Sequence, residues 1–191
     1  IVAHYKAYIE ALDEPPLIVG HSFGGLYVQL LLDQGAGAAG IAIDPGPIGF
    51  VVPGLQSLLA ATPPLLTGPN GVYTLPRDGF ARNFANTVPV DQHAAIYDRL
   101  VVPTPGMIFF QAASWIGTVT HPKARKQPLL VTGAEFDRTV TPFTSRGIYN
   151  YQKAAPSRTD LKMYAGKSHS LIFEKGWEEV AGDALDWAAS L

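Results

Sequence analysis

The chain of 191 residues has no cysteine, which excludes disulfides, thiolate metal centres and cysteine nucleophiles. Charge is sparse and nearly balanced: 14 basic against 16 acidic residues leave a formal net charge of −2. There is thus no electrostatic footprint for nucleic acid. No apolar run approaches the roughly 18 residues that a bilayer span needs, which excludes an integral membrane helix of that kind. The opening Ile1-Val2-Ala3-His4 has neither an initiator Met nor the charged-then-apolar layout of a signal peptide, a reading that favours the cytoplasm. What remains is a chain that is 47% hydrophobic, long enough for one domain with a sizeable core.

Val2, Tyr5, Ile9 and Leu12 recur at helical spacing and predict a helix over 2–12, opening without an N-cap residue and closed by Pro15-Pro16. Leu17 to Gly20 reads as a short buried strand, and Gly24 to Asp33, apolar nearly all round, as a buried helix. Strands follow at Ile41–Asp44, Pro128–Gly133 and Leu161–Ala165, with helices at Phe143–Ala154 and Trp177–Ser190. Strands alternating with helices predict an α/β fold, a mostly parallel sheet with helices on both faces. Residues 46–127 break the rhythm. They are crowded with proline, with short helices expected at Leu55–Leu59 and Val90–Leu100, and too rich in phenylalanine for a linker. The segment reads as an inserted helical cap within a single domain.

The sharpest chemical signal is Gly20-His21-Ser22-Phe23-Gly24, a G-x-S-x-G placed where an apolar strand stops and a buried helix starts. A tight strand-to-helix turn would hold Ser22 strained, with glycines making room and its hydroxyl exposed beyond the strand's carboxyl end. The helix N-terminus beside it, first of all the Phe23 N–H, would offer donors to a developing oxyanion. A helix-capping serine in a glycine-rich turn is the plainer reading, but the context favours the nucleophile.

A serine nucleophile needs a base and a group to orient that base. His169, in Gly166-Lys167-Ser168-His169, follows a predicted strand; His4, His21, His93 and His121 do not have that placement. Asp137 follows another strand, with Asp44 and Glu135 as rival acids; Asp137 is preferred because it best meets the chain order Ser, acid, His. Gly35-Ala36-Gly37-Ala38-Ala39-Gly40 matches the dinucleotide fingerprint, yet it follows a helix and precedes a strand, the reverse of what phosphate binding needs. It is a connecting loop. It carries no cofactor reading.

The motifs Gly20-His21-Ser22-Phe23-Gly24-Gly25, Asp137-Arg138-Thr139-Val140 and Gly166-Lys167-Ser168-His169 make the chain resemble the α/β-hydrolase superfamily over nearly its whole length. The resemblance implies a Ser22/His169/Asp137 triad and an acyl-enzyme mechanism without metal or organic cofactor. Relatives with an aspartate nucleophile, such as haloalkane dehalogenases and epoxide hydrolases, are disfavoured by Ser22. It further implies that the four predicted strands match the second half of an eight-stranded sheet. The chain is then expected to be a carboxyl-terminal portion, with the second oxyanion donor and the neighbour of the Leu17–Val19 strand in a preceding portion.

The function expected is therefore a serine hydrolase acting on a small apolar ester or related acyl substrate. Phe80, Phe84, Phe109, Phe110 and Trp115 are the candidate walls of its pocket. The alternative is a non-catalytic relative whose cap encloses a small apolar ligand.

Overall fold

The computed structural model describes residues 1–191. Helix α1 (Val2–Glu10) leads into β1 (Leu17–His21), α2 (Phe23–Asp33) and β2 (Ala39–Ile43). A long segment then carries α3 (Leu55–Leu66), β3 (Val72–Tyr73), the single turn α4 (Arg77–Gly79), α5 (His93–Leu100), β4 (Thr104–Pro105) and α6 (Gly106–Ser114). The chain closes with β5 (Leu129–Ala134), α7 (Pro142–Gln152), β6 (Thr159–Tyr164) and α8 (Trp177–Ala189). No helix is long and apolar enough to cross a membrane.

Strands β1, β2, β5 and β6 form one parallel sheet in the order β1-β2-β5-β6, so every link between neighbours is a crossover. Strand alternation sorts the core into two layers. Ala42, Leu129 and Val131 point to one face, where they meet Leu26, Val28, Leu30 and Leu32 of α2 and Ile148 of α7. Ile41, Ile43, Leu130 and Ala134 point to the other, against Val180 and Trp187 of α8. Burial of both faces explains why β2 and β5 read as continuous apolar runs: no residue in either is exposed. The predicted α/β architecture with helices on both faces is the observed one.

Some boundaries move, for physical reasons. Helix α3 runs to Leu66 through Pro63 and Pro64, well past the expected end at Leu59. The prolines fall in its last turns, and Leu59, whose carbonyl loses a partner to Pro63, is exposed to water. Helix α6 and the antiparallel β3–β4 pair were not foreseen; β3 and β4 are two residues each, below what periodicity can detect. Helix α1 buries none of its residues, so its apolar stripe is only partly covered. The Gly35–Gly40 stretch connects α2 to β2 and supplies the first two residues of that strand, with Gly35 and Gly37 at positive φ.

Candidate active site

Ser22 sits between the last residue of β1 and the first of α2, with φ 56° and ψ −119°, a conformation that L side chains rarely adopt. Its N–H donates to the Ile43 carbonyl at 2.9 Å, and its own carbonyl accepts from Gly46 at 2.9 Å, so the turn is stitched to the end of β2. Two glycines make this turn possible. A Cβ on Gly20 would lie 2.2 Å from the Gly24 carbonyl oxygen, and one on Gly25 would lie 2.8 Å from the Pro45 Cβ. Gly24, by contrast, has open space around it. The crowding thus falls on Gly20 and Gly25, not on both glycines of the five-residue motif.

His169, fully buried, reaches this turn from the loop after β6, although 147 residues separate it from Ser22. Its Nε2 lies 2.9 Å from the Ser22 Oγ, and its Nδ1 lies 2.6 Å from Asp137 Oδ2. Asp137 follows β5, and its Oδ1 accepts the backbone N–H groups of Thr139 and Val140, each at 2.7 Å. The histidine is therefore suspended between a hydroxyl and a carboxyl that is itself fixed by its own loop. Glu135 is elsewhere: its Oε2 accepts from the Gly166 N–H at 2.9 Å and steadies the start of the His169 loop. Helix α2 begins at Phe23, whose N–H lies in the first turn and has no intrahelical acceptor.

Burial sets the electrostatics. It holds the His169 imidazole down at about 4, so this base is neutral at neutral pH. Burial pushes the Asp137 carboxyl up to about 7, against the hydrogen bonds it accepts from the Val140 and Thr139 N–H groups. The Asp44 carboxyl is raised well above its ordinary range, by burial first and by Asp137 second. One donor atom each from Asp44, Asp137 and His169 lies within 4.8 Å of the others. Those of His169 and Asp137 are already engaged with each other, so the three do not form an open ligand set for a cation.

The five aromatic residues singled out as pocket walls separate. The Phe84 ring stands edge-on to the His169 ring at 4.6 Å, and Phe109 packs edge-on against Phe23 at 5.3 Å. Phe80 instead belongs to a local core with Ala85 and Val88, stacked behind Phe84. Phe110 and Trp115 are partly exposed, and Trp115 packs against Phe50. Two contributors were missed by sequence reasoning. The His21 ring lies 4.6 Å from that of His169, and its Nε2 is 2.9 Å from the His169 carbonyl oxygen. Glu174 Oε2 accepts from Ser170 Oγ at 2.7 Å and Ser168 Oγ at 3.0 Å, and also from Thr87. It thereby ties both neighbours of His169 to the 46–127 segment. A lone glutamate five residues past His169 carries no sequence signal of that task.

A family model for the alpha/beta hydrolase family matches residues 2–184. Among solved structures, a monoacylglycerol lipase of Paleococcus ferrophilus is similar at 20% identity and a TM-score of 0.69, over 99% of this chain and 74% of that one. Rv0554 of Mycobacterium tuberculosis is similar at 22% identity and a TM-score of 0.71, over 100% and 71%. MenH of S. aureus follows at 14% identity and a TM-score of 0.67, over 100% and 74%. No curated protein sequence matches significantly. These likenesses establish the fold, and the family match, which supports an enzyme of hydrolase type, covers nearly the whole length: the chain belongs to the alpha/beta hydrolase family.

Proposed function

We propose that the protein is a serine hydrolase that cleaves an ester or related acyl bond through an acyl-enzyme on Ser22. The observation that carries the reading is the unbroken chain Ser22 Oγ, His169 Nε2, His169 Nδ1, Asp137 Oδ2, with contacts of 2.9 and 2.6 Å. A serine hydroxyl is a weak nucleophile until a base takes its proton. His169 Nε2 accepts that proton as Oγ attacks the substrate carbonyl carbon, and Asp137 stabilises the imidazolium that forms. The Phe23 N–H donates to the new oxyanion. Collapse breaks the ester C–O bond, and the leaving alcohol takes the proton from Nε2. A water molecule, deprotonated by the same nitrogen, then attacks the acyl-enzyme, releases the acid and restores Ser22.

An apolar acyl group suits the site, because Phe84 flanks His169 and Phe109 flanks Phe23. The lipase among the structural relatives, an enzyme of ester bonds by name, agrees with that class. The test is a fluorophosphonate probe with mass spectrometry of the labelled peptide, together with a panel of acyl esters. Covalent labelling of Ser22, and loss of about a millionfold in kcat in Ser22→Ala, are expected. Failure to label Ser22, with tight binding of an apolar ligand instead, would make the protein a binder.

A further inference from the structure

Asp44 is the one carboxyl beside the Asp137–His169 pair that the mechanism leaves unused. It directly follows β2 at φ 40°, a left-handed backbone, and its side chain is buried, with 0% exposed. Its Oδ1 accepts from Thr132 Oγ1 at 3.1 Å, and its N–H donates to that same oxygen at 3.2 Å. Its Oδ2 is buried without any partner. A buried carboxylate oxygen left bare is costly, whereas a buried O–H needs only an acceptor.

We infer that Asp44 is a neutral carboxylic acid whose Oδ2–H donates to the Asp137 carboxylate, and that it is a positioning residue for the Asp137–His169 pair. Two carboxylates sealed from water at this separation do not both ionise, and they share one proton. The surroundings decide where it resides. Asp137 has three anion-stabilising partners, the N–H groups of Thr139 and Val140 and the His169 ring, while Asp44 has only the Thr132 hydroxyl. The charge therefore belongs on Asp137 and the proton on Asp44. Of the other titratable groups nearby, His169 is the member of the pair itself, the His21 ring beside it is kept neutral because burial lowers its pKa well below the ordinary value, and Tyr164 carries no charge because burial raises its phenol. As a donor, Asp44 draws electron density from Asp137 and makes it a weaker base. The shared proton of the Asp137–His169 contact then stays on the imidazole Nδ1, leaving Nε2 as the acceptor that faces Ser22.

This inference rests on the hydrolase reading for its consequence, but not for its first test. Infrared spectroscopy of the whole protein at pH 7.5 should show the carbonyl band of a buried, protonated carboxylic acid. Asp44→Asn should remove the band and fold at least as stably, since asparagine keeps both the size and a donor to Asp137. No band in the wild type, a band that survives in Asp44→Asn, or an Asp44→Asn chain that does not fold would each overturn the assignment. The second test is the pH profile of kcat/KM. Asp44→Asn should leave its acid limb in place, and Asp44→Ala should move it up by about one pH unit, because an undiminished Asp137 stabilises the imidazolium. A downward shift of about one unit in Asp44→Asn would mean that wild-type Asp44 is charged, which overturns the proposal. Should Ser22 resist the fluorophosphonate while the band behaves as expected, the hydrolase reading fails and the proton assignment stands.

Discussion

The strain at Ser22 and the burial of His169 act on the same hydrogen bond from opposite ends. A positive φ at Ser22 aims its hydroxyl at a ring that has no exposed surface of its own. In the proposed mechanism that ring accepts the serine proton only when neutral, so the expected rate falls as pH drops through the folded-state pKa of His169. The usual histidine value is about 6.5, and burial lowers this one to about 4. The acid limb of kcat/KM for the free protein is thus expected below pH 6. A limb at or above 6.5 would show that Asp137 outweighs desolvation in setting the base. The stability effect of the same group has the opposite proton balance from a salt-bridged histidine. The unfolded chain takes up a proton near pH 6.5 while the folded chain resists until about 4, so His169 lowers stability as pH falls across that window. Asp44 and Asp137, both raised, bind protons more readily when folded, and they offset this loss on the acid side.

Element by element, the site exists because three parallel strands end at one edge, each followed by a loop held in a different way. Behind β1, the turn depends on Gly20. Gly20→Ala places a methyl carbon 2.2 Å from the Gly24 carbonyl oxygen, and the expected cost is about 2–3 kcal/mol. A urea denaturation curve with an unchanged midpoint would refute it. Behind β6, the His169 loop depends on Glu174, which is buried and gathers the hydroxyls of Ser168, Ser170 and Thr87. Glu174→Ala strands those hydroxyls, and a loss of about 2–3 kcal/mol should come with a fall in kcat larger than any rise in KM. Equal stability and unchanged kcat would show that the loop holds itself. This contrast also marks what sequence reading could reach. The four parallel strands, α2, α7, α8, and the chain Ser22–His169–Asp137 were legible because each pairs a periodic apolar run with a residue type of restricted chemistry. Glu174, His21 and the carboxyl pair of Asp44 with Asp137 were not, since their importance lies in contacts between strand ends far apart in sequence. Within 46–127, tertiary packing overrode local signals, as α3 shows by running through two prolines. For the same reason Phe80 and Phe84 look alike in sequence, yet only Phe84 touches His169.

At the scale of the whole molecule, the four-stranded sheet ends in two edge strands, β1 and β6. Strands β2 and β5 are sandwiched, whereas β1 forms an edge with two of its five residues exposed. Val19 is 54% exposed and Leu17 37%. They border a groove that runs on through Ile41 and Ile43 to Val180 and Leu185 of α8, with every lining residue apolar. An edge strand with unpaired backbone groups and an apolar face is a template for association. Soluble proteins blunt such edges with charge, and Leu17-Ile18-Val19-Gly20 has none. The purified chain is therefore expected to self-associate in a concentration-dependent way through β1. Val19→Lys places a solvated ammonium on that edge, where Val19 already faces outward, so it removes little packing. Sedimentation velocity over a concentration series should show the wild type forming larger species and Val19→Lys remaining monomeric, with the far-ultraviolet circular dichroism of the two superimposed. A wild-type chain that stays monomeric at every concentration would rule out association through β1.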